Sequence, residues 1–181
     1  MFKKVFLAVL AIVGSISIAN AQEVFHKGTT AINAGIGLGS YYNSLSIPPL
    51  SISLDYGVAD NLINGNNGSI SVGGFVGYAA SSFSGWTADK VTVSYAALGA
   101  RGAFHYQFAP KLDTYAGLML GYNIASSSWS GVEYNTHASA SSGVALGGYF
   151  GARYFFTENI GAFAELGYSI AYLNLGATFK F

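Results

Sequence analysis

The sequence predicts an all-β protein: an eight-stranded, antiparallel, up-and-down β-barrel that crosses a membrane with its strands. Three observations predict it. Apolar residues recur at every second position in eight separate segments, which is the side-chain period of a strand with one apolar face. Of 181 residues 51% are hydrophobic and 15% aromatic, yet only 9% are charged, against about a quarter in an ordinary soluble domain. Beyond the N-terminal segment no run of 18 apolar residues occurs, so helices do not supply a crossing.

The same composition excludes several classes. Disordered chains are rich in charge and poor in aromatics, the reverse of this one. Eight basic and eight acidic residues leave no cationic excess for phosphates, so no nucleic-acid partner is expected. The absence of cysteine removes disulfide scaffolds and every thiolate metal site.

Met1 to Ala21 reads as a signal peptide. Lys3 and Lys4 form a basic start, Val5 to Val13 an apolar core, and Ala19-Asn20-Ala21 places small residues before a cut at Gln22. As an uncleaved anchor the core is short of the roughly 20 residues a bilayer requires. The expected domains are therefore a leader over 1–21 and a barrel over 22–181. Without Lys3 and Lys4, six basic residues face eight acidic ones.

In the first strand Thr30, Ile32, Ala34, Ile36 and Leu38 share a face opposite Ala31, Asn33, Gly35 and Gly37. In the second, Leu50, Ile52, Leu54, Tyr56 and Val58 alternate with Ser51, Ser53, Asp55 and Gly57. The third has Ile70, Val72, Gly74, Val76 and Tyr78 against Ser71, Gly73, Phe75 and Gly77. Leu98, Ala100, Gly102, Phe104 and Tyr106 oppose Gly99, Arg101, Ala103 and His105 in the fourth. The fifth sets Leu118, Leu120, Tyr122 and Ile124 against Gly117, Met119, Gly121 and Asn123. Val144, Leu146, Phe150, Ala152 and Tyr154 oppose Gly147, Gly151 and Arg153 in the sixth. The seventh carries Ala162, Ala164, Leu166, Tyr168 and Ile170 against Gly161, Glu165 and Ser169. The last has Leu173, Leu175, Ala177, Phe179 and Phe181 against Asn174, Gly176, Thr178 and Lys180.

Strands of about ten residues cross a bilayer when tilted, and closing the sheet satisfies every backbone group and abolishes the edges. Short connections are expected at Ala59 to Gly68, Gln107 to Lys111 and Thr157 to Asn159, and longer ones at Ser40 to Pro49, Ala80 to Lys90 and Ser126 to Gly143. Short periplasmic turns alternating with long external loops mark an outer-membrane barrel; the connection near Ser169 to Tyr172 is the tight exception. On this orientation Tyr56, Phe104, Tyr106, Tyr154, Phe179 and Phe181 gather at the periplasmic end, and Tyr78, Tyr122 and Tyr168 at the external end. Two aromatic bands around a belt of aliphatics and Ala, broken by Phe150 near mid-height, suit the two interfaces of a membrane. A secreted sandwich or jelly roll also alternates, but its exposed face would be charged.

The stretch Tyr149 to Phe181 resembles the closing hairpins of small bacterial outer-membrane β-barrel proteins, the OmpA/OmpX-like group, and Ser51 to Tyr78 is similar to the same group. The resemblance implies outer-membrane lipid as surroundings. It also implies that the outer-membrane assembly machinery reads the last strand, where Leu173, Leu175, Ala177, Phe179 and Phe181 stand at alternate positions. The peptidoglycan-binding domain that follows the barrel in OmpA is not carried over.

Inward-facing charge is confined to Asp55, Arg101, Asp113, Arg153, Glu165 and Lys180. Arg153 and Glu165 flank a short turn and are expected either to pair in a neutralised lumen or to form an ion path or gate. An eight-stranded interior is just filled by side chains, although the many inward glycines weaken that argument. His105 is expected as a hydrogen-bonding residue of the lumen. His137, with Glu133, Ser139, Ser141 and Ser142, resembles the Ser, His and acid of lipid-A-modifying barrels, but a Ser-rich loop supplies no rigid frame for a triad. Gly35 to Gly39 departs from a dinucleotide fingerprint in spacing and in the missing helix. No cofactor, metal site or catalytic residue is expected. The expected role is structural or interactive: membrane integrity, adhesion or contact with an unidentified extracellular ligand, as a monomer. A minor porin and a lipid-A-modifying enzyme are the alternatives.

Overall fold

The computed structural model describes residues 24–39, 45–63, 67–84, 90–130, 142–167 and 170–181. The leader predicted at Met1–Ala21 lies outside them, as do Tyr168, Ser169 and the loop residues Glu133, His137, Ser139 and Ser141. Eight strands follow one another: β1 Thr30–Leu38, β2 Leu45–Ala59, β3 Ser69–Ser84, β4 Lys90–Ala109, β5 Leu112–Ser130, β6 Gly143–Phe155, β7 Ile160–Gly167 and β8 Leu173–Lys180. Each pairs antiparallel with the next, and β1 pairs with β8, closing the barrel. Closure is carried past the strands by Thr30 and Phe181, whose backbones exchange hydrogen bonds of 3.0 and 2.9 Å.

The alternation of apolar and polar residues becomes an outside and an inside. Leu118 (67% exposed), Leu146 (71%) and Phe150 (60%) stand on the outer wall, whereas Asp55, Ser71 and Arg153 on the opposite parity are fully buried. In water such a wall would be an aggregation surface; in lipid it is the favourable side. Exposed Tyr56, Phe104, Phe108, Tyr154, Phe156, Phe179 and Phe181 ring the end with the short turns, and Tyr78, Tyr122 and Tyr172 the other. Tyr106 is half-buried against Phe108, with ring centroids 4.6 Å apart.

The strands are unequal. β3, β4 and β5 have 16, 20 and 19 residues, β7 and β8 only 8 each. Segments expected as loops, Ala80 onward and Ser126 onward, remain paired as far as Ser84↔Lys90 and Lys90↔Ser130. Beyond Tyr78 and Ile124 the residues become Ser and Ala, Phe83 and Trp129 excepted, so the apolar period fades while the backbone ladder, which needs no apolar face, continues. β2 likewise begins at Leu45, inside the expected loop Ser40 to Pro49. Register shifts between Leu45 and Ile47 and between Ile47 and Leu50 accommodate Pro48 and Pro49, which have no N–H to give the ladder.

Among the described residues one inside–outside assignment is wrong. Ile170, expected on the outer wall, is buried. β7 ends at Gly167, so the period-two rule no longer governs Ile170, and the turn carries Ile170 and Ala171 over the lumen. They pack there with Phe75, Ala79 and Ala97. A side chain on Gly77 would begin 3.0 Å from Ile170 Cγ2.

Candidate functional site in the barrel interior

The inward parity of the eight strands brings a buried polar network together in the half of the lumen nearer the turns. Arg153 on β6 is its centre. Its Nε donates to Asn33 Oδ1 at 3.0 Å, its Nη1 to Asp113 Oδ2 at 2.9 Å, and its Nη2 to Asp55 Oδ2. Arg101 on β4 pairs with Glu165 Oε2 at 2.7 Å and with Asp55 Oδ1 at 3.0 Å. The second contact is an ion pair without a directed hydrogen bond, because Arg101 Nε–H points at the Tyr149 hydroxyl, 3.1 Å away. Asp113 also meets His105 Nδ1 at 2.9 Å, and His105 Nε2 meets Ser71 Oγ at 2.8 Å. Charges removed from water this completely persist only when paired and hydrogen-bonded.

Glu165 therefore pairs with Arg101 across the lumen, not with Arg153 across the β6–β7 turn. Strand register explains the correction. Arg153 stands opposite Phe163 and Glu165 opposite Gly151, so the two charges lie a step apart along the wall, and each guanidinium reaches carboxylates across the barrel. Lys180 is not part of the network. It lies at the turn end, where its Nζ donates to Val24 O at 3.2 Å and sits 5.0 Å from the centre of the Phe155 ring.

Aromatic rings fill what the charges leave. Tyr149 lies under the Arg101 guanidinium, 3.9 Å from its carbon, and Tyr115 under Arg153 at 4.3 Å; stacking on a cation suits the planar guanidinium. The Tyr115 hydroxyl donates to Glu165 Oε2 at 3.0 Å. The inward glycines make room for these rings. A Cβ on Gly151 would lie 2.7 Å from Tyr115 Cζ, on Gly117 2.7 Å from Tyr149 Cζ, and on Gly35 2.7 Å from Phe163 Cζ. The glycines thus form pits for rings rather than an open channel. The void beside Phe75, Arg101, Tyr149 and Glu165 holds about 10 Å³, at the lower limit for one water molecule.

Sequence reasoning missed the segment that closes the turn end. Val24–Thr29 precedes β1 and folds beneath the lumen, with Val24, Phe25 and Thr29 buried. The Phe25 ring stacks on His105 with centroids 4.0 Å apart and planes 12° apart. The one signal in the sequence is the apolar pair Val24-Phe25 ahead of Gly28, too short to show a period. Thus the lumen is capped by Phe25 at one end, by Ile170 and Ala171 at the other, and crossed by charge pairs between. Among the described residues no group of His, Asp and Glu is disposed to hold a metal ion.

No family model matches the sequence, and no curated protein matches it. Among solved structures, the chain is similar to the crystal structure of Ail, the attachment invasion locus protein of Yersinia pestis, in complex with the heparin analogue sucrose octasulfate. Identity is 15% and the TM-score 0.56 over 86% of this chain and 99% of that one. A second crystal structure of Ail matches at 14% identity and a TM-score of 0.50 with the same coverage. The N-terminal β-barrel domain of Pseudomonas aeruginosa OprF matches at 18% identity and a TM-score of 0.43 over 87% of this chain and all of that one. At such identities the likeness to Ail is one of fold: a closed, all-antiparallel, eight-stranded barrel.

Proposed function

We propose that the chain is exported through a cleaved leader, is inserted in the outer membrane as a monomeric barrel, and acts by surface contact through its external end. The observation that carries this reading is the contrast between a filled lumen and an elaborated rim. Phe25, the Arg101 and Arg153 ion pairs and Ile170 are buried side chains in the way of a passing solute, which weighs against a porin. The rim, by contrast, extends as a three-stranded platform from β3, β4 and β5. Ser82, Thr92, Ser94, Ser126, Ser127 and Ser128 lie on it, with Ser82 Oγ 3.2 Å from Thr92 Oγ1 and the Tyr78 hydroxyl 3.2 Å from Ser94 Oγ. Hydroxyl-rich surfaces on a rigid frame suit hydrogen-bonded recognition.

The Ail structure holds a polyanionic heparin analogue. In this chain the sequence stretches 40–44, 85–90, 131–141 and 168–169 contain Lys90 against Asp89 and Glu133. That balance favours a neutral, hydroxyl-bearing or amide-bearing partner over a polyanion. In the same reading the assembly machinery engages β8 and Phe181 through Leu173, Leu175, Ala177 and Phe179, whose alternate positions share the apolar face toward lipid.

The test is retention of intact cells producing the protein on surfaces coated with neutral glycans or matrix proteins. Retention that falls when Ser126, Ser127 and Ser128 are replaced by Glu supports the reading. Equal retention of cells with and without the protein, or recovery of the chain in the soluble fraction, overturns it.

A further inference from the structure

We propose that Val24–Thr29 is a built stopper that closes the periplasmic mouth of the lumen, and that it docks and withdraws as one piece. Its seat is assembled from strands far apart in the chain. Val24 N–H donates to Gln107 Oε1 on β4 at 2.6 Å, and Lys180 Nζ on β8 donates to Val24 O at 3.2 Å. Ser69 Oγ on β3 donates to Phe25 O at 2.9 Å. On β2 the notch is Gly57, where any side chain would collide with the His26 carbonyl, while Gly57 N–H donates to Thr29 O at 2.9 Å. Residues from β2, β3, β4 and β8 converge in this way only in a closed barrel, so the stopper docks after closure.

The segment also has its own hinge. Gly28 adopts φ +89°, and no atom lies within 4 Å of where its Cβ would be. Glycine is needed there for backbone conformation, not for space. Gly28 N–H donates to Gly57 O at 2.9 Å; on the barrel side of this hinge the chain joins the β1 ladder at Thr30, and on the other side Lys27 is exposed and Phe25 is the anchor.

Behind Phe25 lie His105, Ser71, Asp113 and Arg153, and above them the lumen remains filled by Arg101, Tyr149, Phe75 and Met119. Withdrawal therefore opens a blind vestibule to periplasmic water and no through path. The stopper sets the solvent access of the lower half of the charge network. This holds equally for a barrel in a micelle, so its failure is separable from failure of the surface-contact reading.

The chain contains no cysteine, so Ser71→Cys introduces a unique thiol behind the stopper. The probe is a small cationic methanethiosulfonate, added to the folded barrel in micelles, with folding checked by the change of gel mobility on boiling. With the stopper in place the thiol reacts at least about tenfold more slowly than in S71C/F25A, because reaction follows the population of the open form. The same acceleration is expected in S71C/Q107A/K180A, which removes two tethers and keeps Phe25, so the claim stays testable if the Phe25 variant does not fold. Equal rates in S71C and in whichever of these variants folds overturn the proposal. So does an S71C rate as fast as that of a thiol at the exposed turn residue Asn159.

Discussion

Replacing Arg153 by Met removes the centre of the lumen network with little change of volume. The magnitude follows from what is left behind. Asn33 Oδ1, Asp113 Oδ2 and Asp55 Oδ2 each lose their donor, and charge-assisted hydrogen bonds are worth about 1.5–3 kcal/mol each. The losses are not additive, because Asp55 keeps Arg101 at 3.0 Å and Asp113 keeps His105 at 2.9 Å. Breaking one member of a buried pair costs about 3–5 kcal/mol, and these remaining partners put Arg153→Met near 3. Adding Asp55→Asn removes the carboxylate that the first substitution exposed. The double variant should therefore lose less than the sum of the singles, with a coupling of about 1–3 kcal/mol. The assay is urea unfolding of the barrel refolded in phospholipid vesicles, read as the fraction that shifts gel mobility on boiling. A cost below about 1 kcal/mol for Arg153→Met, or strict additivity of the pair, would refute a stabilising network.

Two further outcomes test packing and surroundings. Gly73→Ala places a methyl group on the Leu54 carbonyl oxygen, whereas Gly102→Ala finds its nearest neighbour, Ser71 O, at 3.5 Å; refolding yield should collapse for the first and stay near the native level for the second. Leu118→Arg, between the two aromatic bands, should lower stability in vesicles by about 2–4 kcal/mol and Phe181→Arg, in the turn-end band, by no more than about 1; equal costs measured by urea unfolding would contradict a lipid belt.

How much was legible depended on which interaction wrote the residue. Lipid on one side and lumen on the other force a two-residue alternation, so the belt from Ile32 to Val76 and from Leu98 to Phe179 could be read directly, with the strand count and closure following from it. Ser126 to Ser130 and Ala80 to Ser84 continue the backbone ladder with β4 but carry no run of alternating apolar residues, so they read as loops. The inward charges stood on the right face, but their partners depend on reach across the barrel. Neighbourhood in the chain suggested Arg153 with Glu165, whereas shear between strands sets Glu165 before Arg101. The rings of Tyr115, Tyr149 and Phe163 share the inward parity of Gly151, Gly117 and Gly35, and that complementarity appears only once the register is known. Phe25 and Ile170 lie outside regular strands, where no period informs, and both turn out to cap the lumen.

Single-channel recording in planar bilayers tests the central claim most directly, because a filled and doubly capped lumen and a pore differ in kind. The refolded protein should insert without steady conductance at moderate voltage, and Phe25→Ala should behave alike, since Arg101, Tyr149 and Ile170 still block the path. A large, steady, ohmic conductance from the native barrel would contradict the account.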